Sequence, residues 1–295
     1  MNRANRQRWA GRGPQGQGRE APAEGARPVA SITSGMDLLY GRQPAMECLR
    51  AGRRAVRSLY VAASVRQTPD IGGLLEAAGR AGAAVQTAET PFLDQLCAGG
   101  NHQGVALECG SYPYVDLDPA GLKPSPDTPA PLVLLLDHVQ DPQNLGAILR
   151  TAEGAGVRTV VIPSDRAVGV TPTVVRASAG ASEHLRVARV TNLVRAMQEL
   201  KASEYWIAGL EAMPEAKLCW EQDLGGPLAL VIGSEGAGLG RLVRETCDFL
   251  IRLPMAGRVA SYNAGVAAAM AIYEVVRQRV SPVRAAAGRS SGSSR

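Results

Sequence analysis

What this 295-residue sequence lacks narrows it first. Its three histidines, His102, His138 and His184, stand far apart in unlike contexts, which argues against a His/Cys metal site. Its five cysteines (Cys48, Cys97, Cys109, Cys219, Cys247) are odd in number and without C-x-x-C spacing. They read as reduced packing residues of a cytoplasmic protein. The longest uncharged, largely apolar run, Ala264–Tyr273, is too short to span a bilayer. No apolar h-region marks the N-terminus, so no secretory signal is expected. Neither a Gly-x-Gly-x-x-Gly nor a Gly-Lys-Ser/Thr loop occurs in a nucleotide-binding context, which argues against those fingerprints.

What is present is a chain 45% apolar and 20% charged, long enough for two domains with a core each. Its net charge of +5 is unevenly spread. Residues 1–36 hold six Arg against two Glu and residues 281–295 three Arg and no acid, so these ends carry +7 and residues 37–280 about −2. Glycine- and proline-rich, with little to bury, both ends read as disordered basic tails. Such tails attract polyanions in a salt-dependent way, and Trp9 offers a ring for base stacking.

From Asp37 short helical and strand periods alternate. Helices are predicted at Gln43–Ala51, Asp70–Ala81 and Thr90–Ala98, with strands at Val56–Ala62, Ala84–Thr87 and Val105–Cys109. This is a small α/β domain over 37–112. Arg50, Arg53, Arg54 and Arg57 cluster at one helix end and the following strand. With the loop Asn101-His102-Gln103-Gly104 they form a candidate phosphate-contacting patch, for which a solvated charge cluster is the alternative. Proline recurs through 113–131, which reads as an interdomain linker. Beyond it, continuous apolar runs such as Leu132–Leu136 alternate with helices up to residue 280, including Pro142–Gly154 behind an Asp141 N-cap and Asn192–Ala202 behind Thr191. Six such strands argue for a mostly parallel sheet covered on both faces.

The stretch Leu228–Arg279 organises this second domain. The strand Leu228–Ile232 runs into Gly233-Ser234-Glu235-Gly236-Ala237-Gly238-Leu239-Gly240, helix resumes at about Arg241, and the strand Phe249–Leu253 is followed by Ser261-Tyr262-Asn263 and a long helix. Glycine loops after two strands suit a ligand crevice at the strand carboxyl ends. Upstream, Asn144 lies in the first turn of the 142–154 helix and Arg150 two turns in. Arg150 stands amid Leu145, Ile148 and Leu149, where an arginine needs an ion-pair partner or an anion.

The N-x-G-x-x-x-R helix (Asn144, Gly146, Arg150), the Gly-Ser-Glu-Gly loop and the L-P-M-x-G-x-V-x-S-x-N segment (Leu253 to Asn263) stand in the order and spacing of three motifs. Together they resemble the SpoU family of RNA 2′-O-ribose methyltransferases, within the SPOUT superfamily, across residues 37–280. Gly41-Arg42 and His102-Gln103-Gly104-Val105-Ala106 resemble the L30e-like RNA-binding domain of its ribosomal members. The resemblance implies a SPOUT-type sheet over 132–280 with a C-terminal trefoil knot, preceded by that small domain. It implies a homodimer through the catalytic domain, with Ala267–Ala269 permitting close approach, and S-adenosylmethionine bound by main-chain groups at Gly233, Leu253 and Tyr262. The family more often has leucine at the Tyr262 position. Arg150 then orients the ribose or phosphate and assists proton loss from the 2′-hydroxyl, with Asn144, Glu235, Ser261 and Asn263 organising the site and no metal. Arg42, Arg50, Arg53, Arg54, Arg57, His102 and Gln103 are the expected RNA contacts. The expected substrate is a guanosine of large-subunit 23S ribosomal RNA. Transfer RNA, a resistance-linked ribosomal site, or a non-catalytic assembly role are the alternatives.

Overall fold

The computed structural model describes residues 33–118, 122, 130–259 and 261–280. Most of the two basic ends, Trp9 included, and part of the proline-rich segment lie outside the described residues. The N-terminal sheet is built from β1 (Met36–Tyr40), β2 (Val56–Ala62), β3 (Ala84–Ala88) and β4 (Val105–Gly110) in the order β1-β4-β2-β3. β4 pairs antiparallel with both β1 and β2, and β3 joins β2 in parallel. Central β4 is buried along almost its whole length, whereas edge strand β3 faces solvent. Helices α1 (Arg42–Ala51), α2 (Pro69–Arg80) and α3 (Thr90–Leu96) connect them. β1 escaped the sequence reading because it is only five residues long and begins at Met36, the last residue of the basic, glycine-rich N-terminal stretch.

The second sheet holds β5 (Leu132–Leu136), β6 (Thr159–Pro163), β7 (Arg186–Val190), β8 (Trp206–Leu210), β9 (Lys217–Leu218), β10 (Leu228–Ile232) and β11 (Phe249–Arg252). Their order is β7-β6-β5-β10-β8-β11-β9, and every pairing is parallel. The two-residue β9 is a seventh strand, too short to show periodicity. Alternation along β5 divides the core. Leu132, Leu134 and Leu136 pack with α4 (Pro142–Gly154) and α8 (Ala264–Val280), while Val133 and Leu135 face α6 (Leu193–Ala202) and α7 (Arg241–Thr246). Continuous apolar strands are what covering both faces demands.

Local chemistry sets the helix starts. Asp141 accepts from the Asn144 N–H at 3.0 Å ahead of Pro142, as its N-cap position predicts. For α6 the cap is Asn192, whose side chain accepts from Arg195 N–H, so Thr191 lies one residue too early. Gly146 is a packing residue. A Cβ there would lie 2.4 Å from the Ala177 Cβ on α5 (Pro172–Ala177), so this helix contact requires glycine.

The described part of the proline-rich segment is fixed rather than free. Tyr112 is buried with its hydroxyl 2.8–2.9 Å from the carbonyls of Ser182 and Leu185, the Tyr114 hydroxyl accepts from Val170 N–H at 2.7 Å, and Val115 bridges to Ala188 of β7. Burial pushes the Tyr112 phenol up to about 12.

Candidate active site

The order β5-β10-β8 makes neighbours of strands distant in sequence, so loops from separate parts of the chain meet at their carboxyl ends. Residues 211–212 follow β8, 233–238 follow β10, and 253–255 with 261–262 follow β11. Together they line a cavity of about 270 Å³. Its floor is backbone that only glycine can supply. A Cβ on Gly233 would come 2.3 Å from the Gly238 carbonyl carbon, and one on Gly238 would meet the Glu211 carboxylate at 2.5 Å. Gly236 and Gly238 have φ of 83° and 66°, and reciprocal Ser234–Gly238 backbone hydrogen bonds close the loop between them.

Two carboxylates hold the loop's exit. Glu211 accepts from Leu239 N–H at 2.9 Å, and buried Asp137 from Gly240 N–H at 2.7 Å. Sequence reading missed both. Each stands directly after an apolar strand, at Leu210-Glu211 and Leu136-Asp137, which is the signal that could have found them.

Beside the cavity runs a directed hydrogen-bond chain across three segments. Asn263 Nδ2 donates to Asn144 Oδ1 at 2.8 Å, and Asn144 Nδ2 donates to Glu235 Oε2 at 2.9 Å. Asn263 Oδ1 also accepts from Gly265 and Val266 N–H, so it caps α8 as well. Asn144 is buried while Asn263 and Glu235 are exposed, so the chain is enclosed at its middle and reaches the surface at both ends. Gly233, Leu253, Ser261 and Tyr262 line the cavity, and Tyr262 donates its hydroxyl to the Pro254 carbonyl at 3.0 Å. Arg150 lies apart from this chain. It is exposed on α4 with no hydrogen-bond or ion-pair partner among the described residues, so the expected burial cost does not arise.

The N-terminal arginines divide. Arg54 is fully enclosed, its Nε and Nη2 on the two Glu183 carboxylate oxygens at 2.9 and 2.7 Å and its Nη1 on Asp37 at 2.8 Å. Arg53 donates to the carbonyls of Glu183, Leu185 and Pro113. These two were expected to meet RNA. They instead bind the N-terminal sheet to the turn at Ala181–His184, because a buried guanidinium needs all its donors satisfied. His102 is likewise buried, its Nδ1 accepting from Gly104 N–H and its Nε2 facing Asp94 at 3.1 Å, so it shapes its loop. Arg50 and Arg57 are exposed at the end of the sheet where β2 begins, whereas Arg42 and Gln103 bond each other at the opposite end, where β1 ends and β4 begins, so the expected single patch is divided.

A parallel sheet with a glycine-floored cavity at its carboxyl edge defines an α/β protein that binds a small ligand there. The model of the SpoU rRNA Methylase family matches residues 131–273, and that of the RNA 2′-O ribose methyltransferase substrate-binding domain matches 38–115. The chain is 43% identical to the Putative TrmH family tRNA/rRNA methyltransferase YacO of Bacillus subtilis over 82% of its length and 96% of the relative's. It is 39% identical to an uncharacterized tRNA/rRNA methyltransferase of Mycobacterium ulcerans over 88% and 83%. Among solved structures, the SpoU methyltransferase AviRb of Streptomyces viridochromogenes, in complex with AdoMet, superposes with a TM-score of 0.69 at 25% identity over 83% of this chain and 91% of that one. The chain therefore belongs to the SpoU family and is an RNA 2′-O-ribose methyltransferase of the TrmH/SpoU type that uses S-adenosylmethionine.

Proposed function

We infer that the protein methylates the ribose 2′-hydroxyl of a guanosine in 23S ribosomal RNA, as a cytoplasmic homodimer. The observation that carries the assignment of the site is the Asn263–Asn144–Glu235 chain at the mouth of the glycine-floored cavity. The cavity suits the cofactor. Side chains such as Leu210, Leu253 and Met255 offer apolar walls, Gly233 and Gly238 bare backbone, and Glu211 and Glu235 negative charge for a cationic ligand. S-adenosylmethionine, when bound, supplies an electrophilic methyl group. Main-chain groups at Gly233, Leu253 and Tyr262 would hold it.

Glu235 and Asn263 fix the Asn144 amide, so the rim of the cleft is set before RNA arrives. Ser261 adds a hydroxyl to the cavity lining. Arg150 orients the ribose or its phosphate. A guanidinium stays protonated at neutral pH, so its help in proton loss is electrostatic. Lining up the reactants carries much of the rate effect, of order 7–11 kcal/mol for well-oriented groups.

The dimer surface we assign is the outer face of α8. Val266, Tyr273 and Val280 recur every seven residues there and are 50%, 67% and 76% exposed. The expected approach through Ala267–Ala269 is revised, since Ala268 is buried in the chain's own core and Ala267 lines the cavity. Pairing of two copies across α8 and α4 would give the exposed Arg150 a second cleft to face.

On the N-terminal sheet, Arg42, Gln103, Arg50 and Arg57 remain the proposed RNA contacts, with His102 holding the loop. The ribosomal choice over transfer RNA rests on that domain. Unmodified 23S, 16S and transfer RNA incubated in parallel with labelled cofactor, followed by nucleoside analysis, test it. Label in 2′-O-methylguanosine of 23S RNA is expected, and label confined to transfer RNA would move the substrate.

A further inference from the structure

The carboxyl edge of the large sheet has a second crevice, at the ends of β5, β6 and β7, of about 550 Å³. The end of the loop that floors the cofactor cavity, Gly240, and the first residues of α7, Arg241 and Leu242, form one of its walls. The crevice is built around a buried acid. Asp137, 1% exposed, holds Gly240 N–H with one oxygen and stands 2.5 Å from His138 Nδ1 with the other. With Nδ1 held by that carboxylate, the half-exposed imidazole keeps its Nε2 edge for another polar group.

Around it stand groups that suit one nucleotide. Arg166 is exposed with no side-chain partner among the described residues. Arg241 has only the exposed Glu245, a pair worth little that a phosphate can replace. Leu242, 58% exposed, adds an apolar face. Asp165 is the opposing charge on the rim. Cations, an oriented imidazole edge and an apolar surface in a single crevice match a phosphate, a polar group of a ribose or base, and a base.

We propose that this crevice seats one nucleotide of the RNA strand next to the one being methylated, with its phosphate on Arg166 and Arg241, a polar group of its ribose or base on His138 Nε2, and its base against Leu242. The proposal rests on the reading of the protein as an RNA methyltransferase. Because Asp137 ties the crevice to Gly240, an RNA seated there would lie against the outer side of the cofactor loop.

The test compares the full-length chain with Arg166→Ala/Arg241→Ala, with Arg166→Lys/Arg241→Lys, and with Lys217→Ala, an exposed charge removed elsewhere. Binding to a uridine dodecamer is measured from 50 to 300 mM salt, and methyl transfer is followed separately on the RNA that the wild type modifies. Each single-strand phosphate neutralised contributes about 0.7 to the slope of log affinity against log salt, so the double alanine variant, which frees the one phosphate held by both arginines, should lose about 0.7. Its KM for RNA should rise about tenfold, or 1.4 kcal/mol, with the loss on KM rather than kcat. The lysine variant should recover most of the affinity. A slope and KM equal to those of Lys217→Ala would overturn the proposal while leaving the methyltransferase reading intact. If the wild type transfers no methyl group but its RNA slope still depends on the two arginines, the crevice stands and the reading of the reaction falls.

Discussion

Two polar regions of this molecule are built from the same residue types and end in opposite ways. At the junction of the two sheets, Arg53, Arg54, Glu183, Tyr112 and the carbonyls of Pro113 and Leu185 form a closed network, in which donors find acceptors and little faces water. At the cleft, Asn263, Asn144 and Glu235 form an open one. Its hydrogen bonds join buried Asn144 to exposed residues at both ends, and Arg150 on the same helix stands in solvent. A completed network fixes one domain against another. An unfinished one leaves donors and acceptors for a substrate.

The contrast can be broken most severely at Arg150. Arg150→Ala should cut methyl transfer by about 10²–10⁴-fold, the range for a group acting on the reacting proton. Stability should stay within about 0.5 kcal/mol, since the residue is exposed and unpaired. Denaturant unfolding run beside the activity assay separates the two effects.

The reverse pattern belongs to Arg54. Arg54→Ala strands the Glu183 carboxylate, which burial already pushes above the ordinary range, and should cost about 3–5 kcal/mol. The paired change Arg54→Met/Glu183→Leu should recover most of that stability. Methyl transfer per folded molecule should survive in the paired variant. A loss of RNA affinity there with stability recovered would return Arg54 to the RNA surface.

Gly233→Ala sharpens the cavity side. Its Cβ has no room beside Gly238, so about 1–3 kcal/mol of overpacking strain is expected, with cofactor affinity down about tenfold by calorimetry. Arg50→Ala should have the smallest effect. Its exposed pair with Glu47 at 2.8 Å contributes under about 1 kcal/mol, and only the salt slope of RNA binding should fall, by about 1.

Much of the fold was legible because its signals are local. Apolar runs such as Leu132–Leu136 and Leu228–Ile232, and the Asp141-Pro142 start, mark elements within a few residues of chain. β9 was too short to be periodic and β1 lay too close to the glycine-rich end. In the site, three motifs identified Asn144, Glu235 and Asn263 together, and these three hydrogen-bond to one another. The destination of each arginine was not legible. Arg50, Arg53, Arg54 and Arg57 look alike in sequence, and only the turn at Ala181–His184, about 130 residues away, engages two of them, burying Arg54 and half-burying Arg53. Arg150 erred the other way, since apolar neighbours along a helix do not tell which face an arginine occupies. Glu211 and Asp137 act through backbone N–H groups distant in sequence, and no spacing rule reports such contacts.

The measurement that tests the open cleft most directly is S-adenosylmethionine binding and methyl transfer, followed together on the wild type and Arg150→Ala with the RNA that the wild type modifies. The account predicts equal cofactor affinity and a transfer rate near background in the variant. Full transfer by Arg150→Ala would contradict it, as would loss of cofactor binding in the same proportion as activity.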